Sequence, residues 1–265
     1  MRNELACSTL LIATISFLSG IEPAAAIKKA PYPEVKVNIA DRYVPDAAFE
    51  AMRKALANAV SKKDASELFR LVGPTFTWTT LGGPNDQFDM GRNALDNFKV
   101  VFGFREFGSD SDGGVESGPF WDILATFAVD ATYYKVPDAG NLVCGPISAD
   151  VVDEDVQEKA NDIIGTEDDQ PDWYFTIADT PVAKAASDSG APIAKIGKVA
   201  LPVVSTYPDQ KSASVPLPTH LEVLLPSGKS GWIPAAAARP LVSERLCYAK
   251  TPKGDWKIVN YDQVE

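Results

Sequence analysis

The chain contains one histidine, His220, and three cysteines, Cys7, Cys144 and Cys247. A single histidine rules out a His-rich metal centre, and any Ser-His-Asp or Cys-His arrangement would have to use His220 itself. Its neighbours Pro218, Thr219 and Leu221 provide neither a serine nor a cysteine. Positive charge is scarce as well. Twenty-five Lys and Arg face 36 Asp and Glu, a formal net charge of −11. Phosphate backbones are held by cations that neutralise them, so this balance disfavours nucleic acid as a partner. No polybasic segment is present to hold anionic lipid. Beyond residue 26, no apolar run reaches the ~20 residues of a spanning helix. We expect no metal site and no cofactor.

The N-terminus is the most informative stretch. Arg2 lies near the tip, residues 5–21 are apolar with Ser and Thr interspersed, and Ala24-Ala25-Ala26 follows. A basic tip, a short hydrophobic run and small residues before a cleavage point are the parts of a secretory signal peptide. We expect residues 1–26 to be removed between Ala26 and Ile27. The product would be periplasmic or secreted, without stable membrane insertion after cleavage. Export removes Cys7 and leaves Cys144 and Cys247, an even count in an oxidising compartment, which favours one disulfide. Two separate buried thiols are the alternative, since free Cys often serves as a small core residue.

Residues 27–45 contain Pro31, Pro33 and Pro45 with little periodicity and read as an extended lead-in. From Asp46 the pattern is helical: Phe49, Met52, Leu56, Ala59 and Val60 recur at three- and four-residue spacing, with Asp46 as the expected cap. Asp64 and Glu67 form a capping-box variant at the start of a second helix, and Gly73-Pro74 is expected to end it. Alternating β-branched and aromatic residues at 75–81 predict a strand. Helices are expected at 93–102 and through Phe120, Leu124 and Phe127, the latter capped by Ser117. Residues 46–147 therefore read as a helical α+β domain. The alternating aspartates at 108–114 lack the closing Glu of a calcium loop and read as a polar loop.

Residues 148–172 are dense in Asp and Glu, bracketed by Pro146 and Pro171, and read as an acidic linker holding one short helix near 155–164. Beyond Trp173, short strand patterns alternate with turns such as Asp188-Ser189-Gly190, Pro226-Ser227-Gly228 and Pro252-Lys253-Gly254-Asp255. That spacing predicts a small barrel or sandwich over 173–265.

Within it, Ala191-Pro192-Ile193-Ala194, then His220-Leu221-Glu222-Val223-Leu224, Ser227-Gly228-Lys229 and Gly231-Trp232-Ile233 resemble a bacterial Src-homology-3-like (SH3-like) domain. The resemblance covers about ninety residues and is strongest over 221–233. The Arg-x-Gly-Pro segment usual in that family is replaced by Ala183-Lys184-Ala185-Ala186, and His220 stands near where members often carry Trp. The fold implied is α+β: an N-terminal helical α+β domain followed by a small C-terminal SH3-like β-barrel. The closing hairpin, including Cys247 and Trp256, is expected inside that module. The resemblance also implies a ligand groove, for which Trp232, Tyr207 and His220 are the candidate binding residues.

The function expected is that of an exported, non-enzymatic cell-envelope protein. Its partner would be a peptide, a peptidoglycan fragment or an envelope protein. One alternative is a carboxylate-dependent envelope hydrolase with its site in the N-terminal domain. The other is an accessory subunit of an envelope complex.

Overall fold

A computed structural model describes residues 27–79, 91–104, 120–137, 139–165, 173–208 and 218–262. In chain order the elements begin with β1 (Val35–Ile39), α1 (Ala47–Ser61), α2 (Ala65–Arg70), β2 (Val72–Thr79), α3 (Ala94–Val101) and α4 (Trp121–Val129). Next come β3 (Tyr134–Lys135), β4 (Val143–Gly145), β5 (Ala149–Val151), α5 (Glu154–Ile164), β6 (Trp173–Thr176) and β7 (Thr180–Val182). The chain finishes with β8 (Ala194–Ile196), β9 (Val199–Tyr207), β10 (His220–Leu224), β11 (Ser230–Pro234), β12 (Ala238–Pro240), β13 (Arg245–Lys250) and β14 (Trp256–Asp262). A 3-10 turn, Ala235–Ala237, joins β11 to β12. The class is α+β.

Local chemistry starts the helices where the sequence indicates. The Asp46 carboxylate accepts from the Phe49 N–H at 2.8 Å, and Asp64 accepts from the Glu67 N–H at 3.0 Å. Asn93 caps α3 in the same way through the Asp96 N–H. Each side chain satisfies one of the donors that a helix start leaves unpaired. For α4 the cap position falls to Phe120, with no side-chain bond there; Ser117, the residue expected to cap it, lies outside the described residues, as does the 108–114 loop. Gly73 and Pro74 do not stop α2 but sit inside β2. Gly73 is needed there because a Cβ would meet Val259 Cγ1 at 2.9 Å.

The first core lies between the helices and one face of a five-stranded sheet ordered β2-β14-β13-β4-β3. Phe49 of α1 sits edge-on to Tyr133, Tyr248 and Trp256 at centroid distances of 4.8, 5.3 and 4.9 Å. Such pairs add about 0.5–1.5 kcal/mol each beyond the area they bury. The closing hairpin β13–β14 is thus at the centre of this sheet, with β14 parallel to β2 and β13 antiparallel to β4. It was expected within the module at 173–265. The reason for the difference is burial: Leu246, Tyr248, Ile258 and Tyr261 complete the core under the N-terminal helices.

The second sheet has seven strands, five in the order β11-β10-β9-β1-β5, with β6 pairing β9 and β12 returning to pair β6. Among the described strands no barrel closes; β7 and β8 pair with each other beside this sheet. The lead-in therefore contributes a central strand, β1, with Val35 and Val37 buried. The acidic segment is likewise structural over 149–164. β5 pairs with β1, and α5 presses Ala160 and Ile164, both fully buried, against the second core. Its carboxylates face outward while Val156, Ala160, Ile163 and Ile164 supply an apolar stripe at helical spacing. The Asn161 side chain accepts from Trp173 Nε1 at 2.9 Å, which fixes α5 to β6.

Cys144 of β4 and Cys247 of β13 are directly opposed, with Sγ–Sγ 1.95 Å and Cα–Cα 4.0 Å. This disulfide links the two sequence halves on the face of the five-stranded sheet that looks towards the second core. Among the described residues no helix is long and apolar enough to cross a membrane. The covalent link and the lack of such a helix are both compatible with an extracytoplasmic protein.

Candidate functional site

Strands β9, β10 and β11 form one antiparallel ribbon, and their side chains alternate between core and surface. Leu221 and Val223 point into a third apolar cluster with Val182, Leu201 and Ile233. The intervening residues, His220 and Glu222, take the opposite face. Register then decides what joins them: Tyr207 and Pro234 lie opposite His220, while Ser205 and Trp232 lie opposite Glu222. The three candidate residues from the sequence, Tyr207, His220 and Trp232, therefore meet on one surface.

Tyr207 and Trp232 are T-shaped, with centroids 6.4 Å apart and planes at 90°. Tyr207 is 54% exposed, whereas Trp232 and His220 are half-buried. The other tryptophans differ: Trp78, Trp173 and Trp256 are buried, and Trp121 packs partly against the first core. His220 Nδ1 lies 3.0 Å from Thr219 Oγ1. The Trp232 backbone is held on its outer side by Ala183, through bonds of 2.8 and 2.9 Å. Gly231 permits this approach, because a Cβ there would sit 2.4 Å from Val182 Cγ1.

Next to the aromatic pair is a polar network. Ser205 Oγ donates to Glu222 Oε2 at 2.8 Å, and Lys29 reaches both Glu222 Oε1 at 3.5 Å and Ser230 Oγ at 3.0 Å. Partial burial pushes the Glu222 carboxyl up, but hydrogen bonds from Ser230 and Ser205 and the Lys29 ammonium outweigh it. The net result holds Glu222 below the usual range. Glu222 therefore remains an anionic acceptor at neutral pH. Lys29 comes from the lead-in, whose first described residue, Ile27, packs against the second core; Ala26 lies outside the described residues.

A second concavity occupies the junction of the two sheets. It is a cleft of about 540 Å³, with Asn38, Asp41, Ser148 and Asp150 on the β1–β5 side and Arg245, Asn260 and Asp262 on the β13–β14 side. Tyr134, Lys135 and the Cys144–Cys247 disulfide also line it. Sequence reading missed this site. Its residues are common types drawn from six strands, and the only signal pointing to it was the cysteine pair. Among the described residues, no group of three or more His, Cys, Asp or Glu is placed to hold a metal ion.

No protein-family model, no curated protein and no solved structure matches this chain.

Proposed function

We propose that this is an exported cell-envelope protein that acts by binding, through an SH3-like module whose β9–β10–β11 face takes a peptide or a cell-wall fragment. The observation that carries the reading is the Tyr207–Trp232 pair, a half-open aromatic surface flanked by His220 and the Glu222 anion. Aromatic-lined surfaces hold extended peptides because a rigid ring buries much area at little conformational cost. The module reading is supported by strand order: β6, β9, β10 and β11 are followed by a 3-10 turn, after which β12 returns to pair with β6. Export is supported by the leader at residues 1–26 and by the Cys144–Cys247 link.

The hydrolase alternative put its site within residues 46–147. The three aspartates of the cleft, Asp41, Asp150 and Asp262, all lie outside that range. On the aromatic face, His220 Nδ1 lies 3.0 Å from the Thr219 hydroxyl, which donates to the Tyr207 carbonyl at 3.1 Å and is not poised as a nucleophile for the imidazole.

The test is co-sedimentation of the purified protein with isolated peptidoglycan and with envelope extract at moderate salt. Retention of the wild type, weakened about tenfold or more by Trp232→Ala and Tyr207→Ala, is expected, in line with the usual size of an aromatic anchor. No retention of the wild type, or equal retention of both variants, would overturn the reading.

A further inference from the structure

We infer that the cleft between the two sheets is a second binding site, built for a small zwitterion carrying a free carboxylate and a free ammonium, such as an amino acid or dipeptide. Its volume of about 540 Å³ is within the range of small-molecule sites, roughly 300–1,000 Å³. The composition of its walls narrows the chemistry further.

Two hydrogen-bond donors of cleft-lining residues, Arg245 Nε and the Tyr134 hydroxyl, are buried with no partner among the described residues, Tyr134 itself being only 4% exposed. Buried polar groups are almost always paired, so two such donors on residues that line the same cavity call for an explanation. A carboxylate accepts from both kinds of donor, and its bonds to a guanidinium are charge-assisted. The cleft thus has a cationic, donor-rich wall with Lys135 nearby.

The opposite charge is supplied by Asp41 and Asp150, both exposed. Neither makes an ion pair with Arg245 or Lys135, nor with any other described cation. Asp150 sits opposite Asn38 in the β1–β5 ladder, and the Asp41 carbonyl accepts from the Lys135 N–H at 3.3 Å, so backbone pairing sets where both residues join the cleft wall. Asp262 is engaged by Thr79 and is less available. A purely anionic ligand would meet these aspartates, and a purely cationic one would leave Arg245 without a partner. A zwitterion satisfies both, with its carboxylate towards the more buried Arg245 and Tyr134 and its ammonium towards the exposed carboxylates. The Cys144–Cys247 link ties β4 to β13 within the lining and so holds the wall that carries Arg245. Fixed charges in a cleft with low-dielectric walls raise the local concentration of a complementary ligand.

The experiment is isothermal titration of the purified protein with L-alanyl-L-alanine, alongside the same dipeptide N-acetylated, C-amidated, or both. The unblocked dipeptide should bind, and each single block should weaken binding about tenfold or more, as expected for loss of a charge-assisted contact. Arg245→Gln should have the effect of amidation. Asp150→Asn, at an exposed position where folding is not at stake, should have the effect of acetylation. No binding of the unblocked dipeptide at millimolar concentration overturns the proposal. So does equal binding of the doubly blocked one, or unchanged affinity in both variants.

Discussion

Replacing Cys144 and Cys247 together by alanine removes the one covalent link between the sequence halves, and the size of the effect follows from topology. The two residues are 103 positions apart, and the loop they close contains every strand from β5 to β12. Chain-entropy estimates for a loop of that length give roughly 4.7 kcal/mol at 25 °C. The folded state has little to lose in geometry. Leu246 opposite Gly145 and Tyr248 opposite Val143 hold β13 against β4 on either side of the pair, bonded or not. The loss therefore falls mainly on the unfolded chain, which gains the freedom of an open loop.

For a protein of this size, 1 kcal/mol corresponds to roughly 2–4 °C in Tm, so the double variant should melt roughly 10–20 °C below the wild type. Differential scanning calorimetry of the two proteins measures this. Alkylation of the denatured, unreduced wild type followed by mass spectrometry checks the premise. Labelling at Cys144 or Cys247 in that sample would refute the bond itself. A Tm within a few degrees of the wild type in the variant would refute the loop-entropy argument even with the bond present.

Gly231→Ala should lower the urea midpoint at unchanged slope by an amount equivalent to roughly 1–3 kcal/mol, the usual cost of overpacking. The new Cβ would meet Val182 Cγ1 at 2.4 Å and the Ala183 carbonyl at 3.1 Å; an unchanged midpoint would mean that β7 does not cross there. Asp46 is held below the usual carboxylate range, first by the hydrogen bond from Lys250 and then by that from the Phe49 N–H, against a smaller upward push from burial. A lowered folded pKa gives stability that is present above the ordinary carboxylate pKa and lost as pH falls through the folded one. Asp46→Asn keeps a capping side chain, so the Tm difference between it and the wild type should be steady from neutral pH to about pH 5 and shrink below about pH 4. A difference that grows on acidification would refute the role of the charge.

Helix caps and apolar stripes were legible because they are local. Asp46 and Asp64 each act on a backbone N–H three residues away, and the buried face of α1 is the set Phe49, Met52, Leu56, Ala59 and Val60. Strand partnership is not local. Nothing in residues 245–262 says that β14 will run parallel to β2, more than 180 residues earlier, so the hairpin was grouped with its sequence neighbours. The lead-in hid β1 because only Val35 and Val37 alternate inward over five residues. In the acidic segment, the abundance of Asp and Glu obscured the four apolar side chains that dock α5.

The same distinction explains the two sites. Tyr207, His220 and Trp232 lie on strands joined in sequence order, so a resemblance confined to one stretch could gather them. The cleft needs β1, β3, β4, β5, β13 and β14 together, and only a constraint spanning the chain could foreshadow it. The cysteine pair is that constraint. A bond between Cys144 and Cys247 requires their Cα atoms to lie within about 7 Å, which brings the closing hairpin against the end of the N-terminal half. Proximity alone does not specify pairing; the structure supplies that, setting β13 beside β4 and Arg245, two residues before Cys247 and on the same face of the strand, at the junction of the two sheets.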